Sequence, residues 1–233
     1  CDHVEEMLFP FDTWGKNFVA VPSNPLRLKD NTIPSANQKP DQFKIVAGVT
    51  TTLTLNPANA GTQIAGSACT SGTLAAGTCT LGPGRHIEYT ATQAFTISAN
   101  NPIAVAQFFP GEGPSVTATS LPPNGPQQGD PSMVLLPPIE QWRARYTVLA
   151  STGLKDNYLG LAIDGSKVAD VKVDGVSVTG FTAIGTSTFK WKNVWVGTGT
   201  HTVEVTAQAG QTVVPGAGVT VYGYDSYVSY GYT

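Results

Sequence analysis

Apolar residues recur at a spacing of two in segment after segment of this chain. Phe43, Ile45, Ala47 and Val49 alternate with Lys44, Val46 and Gly48, and Leu53 and Leu55 continue after three threonines. Phe95, Ile97 and Ala99 alternate with Thr96 and Ser98, Phe189 and Trp191 with Lys190 and Lys192, and Val203 and Val205 with Thr202 and Glu204. A period of two sends one set of side chains inward and the other outward, as an antiparallel sheet over a core requires. No comparable stretch carries the recurrence of a long amphipathic helix. Two runs lack the alternation, Pro102 to Phe109 and Met133 to Leu136. They are expected to be central strands covered on both faces.

Turn chemistry divides the pattern. Asp164-Gly165 and Asp174-Gly175 predict two-residue hairpins, with positive φ at both glycines. Gly197-Thr198-Gly199-Thr200 leads into the strand that starts at His201. The main break is Pro110 to Pro131, which contains Leu121-Pro122-Pro123-Asn124-Gly125-Pro126-Gln127-Gln128-Gly129 and holds neither a helix nor a central strand. A loop of that length is functional or marks a boundary. The expected architecture is all-β, with two associated antiparallel β-sandwich halves of jelly-roll or Ig-like type. Residues 1–137 form the first half, including the Pro/Gly-rich loop 110–131, and residues 138–233 form the second. The alternative is one continuous super-sandwich. Pairing of Met133 to Leu136 back onto the first half would blur the border near Pro137-Pro138.

Composition narrows the class. The 233 residues are 41% hydrophobic, so a core is available, but only 12% are charged, about half the usual share. Gly 25 and Pro 17 are high counts. Uncharged polar surface with many turns is the style of secreted β-rich proteins. The formal net charge is −3 and there is no basic run, which argues against a nucleic-acid partner. No apolar run approaches the roughly 18 residues of a membrane helix. The sequence starts at Cys1 with no signal peptide, as expected of a mature product or an excised fragment. Cys69 and Cys79 flank a loop of small residues and are expected to form a disulfide, worth about 3 kcal/mol in the chain-entropy model. The alternative is two free buried thiols. Cys1 is left over, for a partner elsewhere or for a lipid-modified N-terminus.

The closing stretch, Val221-Tyr222-Gly223-Tyr224-Asp225-Ser226-Tyr227-Val228-Ser229-Tyr230-Gly231-Tyr232, sets tyrosines among small residues in a strand pattern. It resembles the closing motif of the N-terminal domain family of IgGFc-binding proteins. The likeness continues upstream. Phe18-Val19-Ala20-Val21-Pro22 is similar to that family's opening strand, and Phe43-Lys44-Ile45-Val46-Ala47 to its next hairpin. Asn101-Pro102-Ile103-Ala104-Val105-Ala106-Gln107-Phe108 resembles another strand. Gly129-Asp130-Pro131-Ser132-Met133, with Pro137-Pro138-Ile139-Glu140-Gln141-Trp142 and Tyr146 after it, resembles its most characteristic segment. Asp174-Gly175-Val176 and Gly199-Thr200-His201-Thr202-Val203 complete the series in order. The Asn/Thr-rich, cysteine-poor style is similar to bacterial members. The resemblance implies a secreted or surface-displayed β module within a larger adhesive protein, and it carries over no Fc-contacting residue.

Candidate chemistry is sparse. The histidines are His3, His86 and His201, and no Gly-x-Ser-x-Gly elbow accompanies them, so a nucleophile-base pair is not expected. Glu88, Glu112, Asp130 and Glu140 are the carboxylates available for paired acid-base work, at no defined separation. Asp130 reads more simply as an Asx turn before Pro131. Oxygen ligands for a structural calcium would come from Asp130, Asp156, Asn157 and Asp225. No other cofactor is expected. Arg143 and Arg145, beside Glu140 and Trp142, are candidates to clamp an anion, or else they pair with local acids. Tyr222, Tyr224, Tyr230 and Tyr232 share one face if the tail stays extended. With Trp191 and Trp195 they are candidate anchors for a protein or glycan ligand, or else core rings with bonded hydroxyls. The resulting expectation is a non-catalytic extracellular or cell-surface adhesion module, joined to further domains of one polypeptide. A carbohydrate-binding domain using exposed Tyr and Trp is the first alternative. An enzyme with its site in the 110–131 loop is the second.

Overall fold

The computed structural model describes residues 4–7, 9–23, 40–110, 129–154, 156–225 and 228–233. Cys1, His3, Glu112 and most of the 110–131 loop lie outside them. The strands are β1 (Gly15–Ala20), β2 (Asp41–Ala47), β3 (Thr51–Asn56), β4 (Gly61–Gly66), β5 (Ser71–Thr73), β6 (Thr78–Leu81), β7 (Arg85–Ala91), β8 (Phe95–Phe109), β9 (Ser132–Leu135), β10 (Arg145–Ala150), β11 (Asp156–Asp164), β12 (Val168–Val173), β13 (Val176–Ser177), β14 (Thr182–Ala183), β15 (Phe189–Val196), β16 (Gly199–Ala207), β17 (Ala217–Asp225) and β18 (Val228–Tyr232). Short 3-10 turns are the only helical elements among the described residues. The chain is all-β, and its sheets are antiparallel.

The first nine strands make one curled sheet in the order β4-β7-β2-β8-β3-β6-β5, with β1 and β9 also on β8. The 15-residue β8 accounts for the curl. Its first part lies between β1 and β3, where Ile97 faces both Phe18 and Leu55. Its last part lies between β2 and β9, where Gln107 faces both Phe43 and Val134. One strand thus belongs to two layers, and the alternating residues Phe43, Ile45, Leu53, Ile87, Phe95 and Ile97 fill the space between them. Cys69 and Cys79 are bridged, with Cα atoms 5.3 Å apart, and the bridge ties the loop before β5 to β6.

Residues from β10 onward form a four-stranded sheet, β10-β16-β12-β13, and a five-stranded sheet, β14-β15-β11-β17-β18. Leu159, Leu161, Ile163, Val219 and Val221 on the larger sheet meet Val148, Val171, Val203 and Val205 on the smaller one. The opposite face of β11 and β17 carries Tyr158, Tyr222 and Tyr224, which enter the core of the curled sheet. No described strand of the first group pairs with one of the second, yet their cores run together through these rings.

Three expectations change here. Burial on both faces belongs to β11 and β17, each nearly continuously buried, because each is packed between two layers. Pro102 to Phe109 alternates buried and half-buried positions, and β9 pairs only with β8 and is half-buried at its start. Asp174-Gly175 is the expected hairpin, joining β12 to β13 with φ 52° and 79°. Gly165 is different: its φ is not positive, since β11 and β12 lie in different sheets and the connection is an arch. There Lys167 N–H bonds to Asp164 C=O, and the Asp164 carboxylate caps Ser166 N–H.

Candidate functional site

The tail does not stay extended. It folds into the β17–β18 hairpin, with Asp225 opposite Val228, and the turn reverses the parity of the residues beyond it. Tyr222 lies opposite Gly231, and Gly223 lies opposite Tyr230, so the two Tyr-Gly-Tyr pairs face opposite sides. Each glycine leaves room for a ring. A Cβ on Gly231 would fall 2.2 Å from Phe109, and one on Gly223 2.6 Å from Tyr230.

The four tyrosines therefore do not share one face, and of the two readings the core-ring one fits Tyr222 and Tyr224. Tyr222 and Tyr224 are 1% and 2% exposed. Tyr222 stacks on Tyr158 at 5.3 Å and touches Phe109 and Tyr224 at 5.3 and 5.8 Å. Tyr230 and Tyr232 sit on the other side, where the Tyr232 hydroxyl bonds β10 of the smaller sheet and the Tyr230 hydroxyl bonds Asn157 on β11 and Ser151 just after β10. Tyr232 Oη accepts from Leu149 N–H at 2.8 Å and donates to Leu149 C=O at 2.9 Å. Tyr230 Oη donates to Asn157 Oδ1 at 2.7 Å and accepts from Ser151 N–H at 3.1 Å. Because β10 is an edge strand, these hydroxyls satisfy backbone groups that an open edge would expose.

The other candidates are dispersed. Arg145 is an exposed partner of Glu204 at 3.2 Å, and Arg143 makes an isolated bridge to Ala217. Trp191 packs beside Ala162 and Val19 in a small cluster between the two groups of strands. Asn157 is buried, donates its Nδ2 to the Ser151 and Leu154 carbonyls, and accepts the Tyr230 hydroxyl on Oδ1, the one atom it could offer to calcium. Asp130 accepts the Ser229 hydroxyl through its backbone carbonyl, and Asp156 lies opposite Tyr224 on β11. Among the described residues no three His, Cys, Asp or Glu side chains converge on a cation position. Glu88 pairs with Lys44 and His86, while Glu140 accepts from Asn17 at 2.7 Å.

Two of the surface depressions among the described residues are roomy enough to take a ligand. One is an apolar cleft of about 230 Å³ between the two strand groups, lined by Trp14, Phe18, Leu136, Pro138 and Tyr146 among others. The other is an open groove of about 440 Å³ at the β13–β15 side of the second group, lined by Val176, Val178, Val194, Trp195, Asp174 and His201 among others. Val176 is 71% exposed and Trp195 52%. Trp195 stays outside because it stands near the end of β15, beyond the two-residue cover of β14.

His201 closes one end of this groove. Its Nδ1 lies 2.6 Å from Asp174 Oδ2 and its Nε2 lies 2.9 Å from Gly197 C=O. Both partners are acceptors, so the ring satisfies both only as the doubly protonated imidazolium. Burial opposes that charge, but Asp174 and the Gly197 carbonyl outweigh it and raise the His201 pKa above 6.5. In turn the His201 bond and the Thr202 N–H hold the Asp174 carboxyl below its ordinary 3.8. With both ring nitrogens engaged, His201 has none to take a proton from a substrate. Ser177 in the same groove donates its hydroxyl to Asp170 at 2.8 Å. The pair works as a brace for the groove, not as a base and nucleophile.

One polar cluster had no signature in the sequence pattern. Asp41, at the start of β2, is buried and accepts from Ser23 N–H at 2.8 Å, Ser23 Oγ at 2.7 Å and Gln107 Nε2 at 2.5 Å. Alternation marks where a residue points but cannot tell a buried carboxylate from a turn aspartate, and Ser23 and Gln107 are distant in sequence.

An antiparallel β module whose polar groups brace its own strands, with an open apolar groove bearing a half-exposed tryptophan, has the features of a binding module. The chain belongs to the IgGFc-binding family: the family model described as IgGFc binding protein matches residues 1–223. No curated protein and no solved structure matches it.

Proposed function

We propose that the protein is a non-catalytic adhesion and binding module acting outside the cell or at its surface, and that the Trp195 groove is its contact face. The observation that carries this reading is the exposed apolar pair Trp195 and Val176 beside the braced Asp174–His201 pair. Tyr222 and Tyr224 are consumed by the core, and a half-exposed tryptophan is the usual anchor of a recognition surface. The Cys69–Cys79 disulfide supports an oxidising location. No helix among the described residues is long and apolar enough to cross a membrane. The low cysteine count and Asn/Thr-rich style favour a bacterial-type member that is part of a larger surface protein. Its two halves would divide near Pro137-Pro138.

The second reading is a glycan ligand. It is favoured by the same indole next to a carboxylate and the Ser177 and Thr179 hydroxyls in the groove. An immobilised array of glycans, extracellular-matrix proteins and immunoglobulin Fc separates the two. Selective retention on protein spots supports adhesion through protein contact, and retention on glycans alone moves the assignment to the second reading. Turnover of any arrayed substrate would overturn both.

A further inference from the structure

The Trp195 groove lies between walls that belong to different sheets. The stretch from Val173 to Thr179, with the β12–β13 hairpin, forms one wall, and the last part of β15 from Lys192 forms the other. Two side chains tie the walls together. Lys192 Nζ on β15 donates to Thr179 C=O. At the other end His201 sets Nδ1 against the Asp174 carboxylate of the hairpin and Nε2 against the Gly197 carbonyl, in the arch that carries the chain from β15 to β16. Up to Val196 the strand is fixed by pairing with Asn157 on β11. Beyond it the arch has room to move, since a Cβ on Gly197 or Gly199 would meet no atom within 4 Å.

We propose that the His201 proton is a latch on this groove: while the ring is an imidazolium the arch is held to the hairpin and the Trp195 face is set for contact, and loss of the proton frees the arch and weakens contact. The latch regulates the contact face assigned above and rests on that assignment. Geometry gives its direction. Two acceptors need two N–H donors, which only the imidazolium has. A neutral ring keeps one, and the charged carboxylate is the stronger acceptor, so that N–H stays on Asp174. The Nε2 lone pair then faces the Gly197 oxygen across 2.9 Å, and the arch is released. The hairpin stays, because Asp174 also accepts Thr202 N–H and donates its own N–H to Thr202 C=O. The charged group acting on the ring is Asp174. Among the described residues, Val148 lies opposite His201 on β10, and the inward positions of β12, β15 and β16 nearby are Val173, Val196 and Val203. Arg145, Lys172 and Glu204 share the outer face of the smaller sheet. Asp170 holds the Ser177 hydroxyl, and Asp156 lies on the far face of β11 with Tyr158.

Linkage agrees in sign. Against burial, Asp174 and the Gly197 carbonyl raise His201 above 6.5, and the His201 bond holds Asp174 below 3.8. The latch is therefore fully closed between those two ordinary values. It opens as pH rises through the raised His201 value, and again as pH falls through the lowered Asp174 value. Contact is tightest in mildly acidic surroundings and weakens above the midpoint of His201.

The test compares wild type with His201→Gln between pH 5.5 and 9 on the array of glycans, matrix proteins and immunoglobulin Fc. Wild-type retention should fall about tenfold over that range, as one hydrogen bond to a charged group is lost, while His201→Gln holds one level. Two measurements need no ligand. Nitrogen-15 NMR of the imidazole should show both ring nitrogens protonated at pH 5.5, with a midpoint above 6.5. The fluorine-19 resonance of 5-fluorotryptophan at position 195 should shift with that same midpoint and stay still in His201→Gln. Flat retention in wild type, an equal fall in both proteins, a ring with a single N–H at pH 5.5, or a Trp195 resonance that ignores the ring overturns the latch. An array that retains nothing at any pH removes the contact-face reading instead, and the two resonances then decide the latch. Should His201→Gln fail to fold, the wild-type resonances decide in the same way.

Discussion

Replacing Tyr222 by alanine should unsettle the half of the protein to which its backbone does not belong. The Tyr222 backbone pairs with β11 and β18, yet its ring is 1% exposed and lies in the core of the curled sheet, against Phe109 on β8. Truncating a buried aromatic ring to alanine costs about 3–5 kcal/mol. Three ring neighbours within 6 Å (Tyr158, Phe109 and Tyr224) place Tyr222 at the upper end, since each aromatic pair adds about 0.5–1.5 kcal/mol beyond area. A loss of about 4 kcal/mol with a urea slope of about 2.5 kcal/mol/M moves the unfolding midpoint down by about 1.5 M. Hydrogen exchange should then quicken in β2 and β8 as well as in β11 and β17. A midpoint shift below about 0.3 M, or faster exchange confined to residues 156–225, would refute the shared core.

Two further outcomes bear on the disulfide and on the groove. Reduction, or Cys69→Ala with Cys79→Ala, should cost about 3 kcal/mol through the short loop that the bridge closes, and the oxidised mass should be lighter by two hydrogens. The Asp174–His201 brace should contribute most between pH 3.8 and 6.5, the ordinary values of its two groups. It fades as pH rises through the raised His201 value or falls through the lowered Asp174 value, so His201→Gln should flatten that part of the stability profile. An unchanged profile in the variant would remove the imidazolium from the account.

The alternation of Phe43, Ile45, Phe95, Ile97, Val203 and Val205 was enough to predict antiparallel sheets, because a single buried face writes itself directly into a period of two. The same logic failed at β11 and β17, where two buried faces erase the period. Asp174-Gly175 was legible as a turn because adjacent positive φ angles demand that chemistry. Asp164-Gly165 carries the same letters but spans two sheets, a distinction that depends on what the flanking strands pair with. Trp195 stood among the candidates by residue type alone. Its separation from Trp191, which is half-buried, depends on how far β14 extends along β15. The tyrosine tail resembles a family motif, although the family match ends at residue 223, and the reversal between Asp225 and Val228 decides which ring faces which core. Asp41, Ser23 and Gln107 are brought together only by the β1–β8–β2 pairing, and nothing local announces them.

The central claim is that contact is made through the groove and that the tail tyrosines are architectural. The most direct measurement is affinity for the retained array ligand in Trp195→Ala beside Tyr232→Phe, each checked for folding by thermal unfolding. The account predicts at least a tenfold weaker Kd for Trp195→Ala at an unchanged Tm, and wild-type affinity for Tyr232→Phe. Full affinity in Trp195→Ala, with loss in Tyr232→Phe, would contradict it.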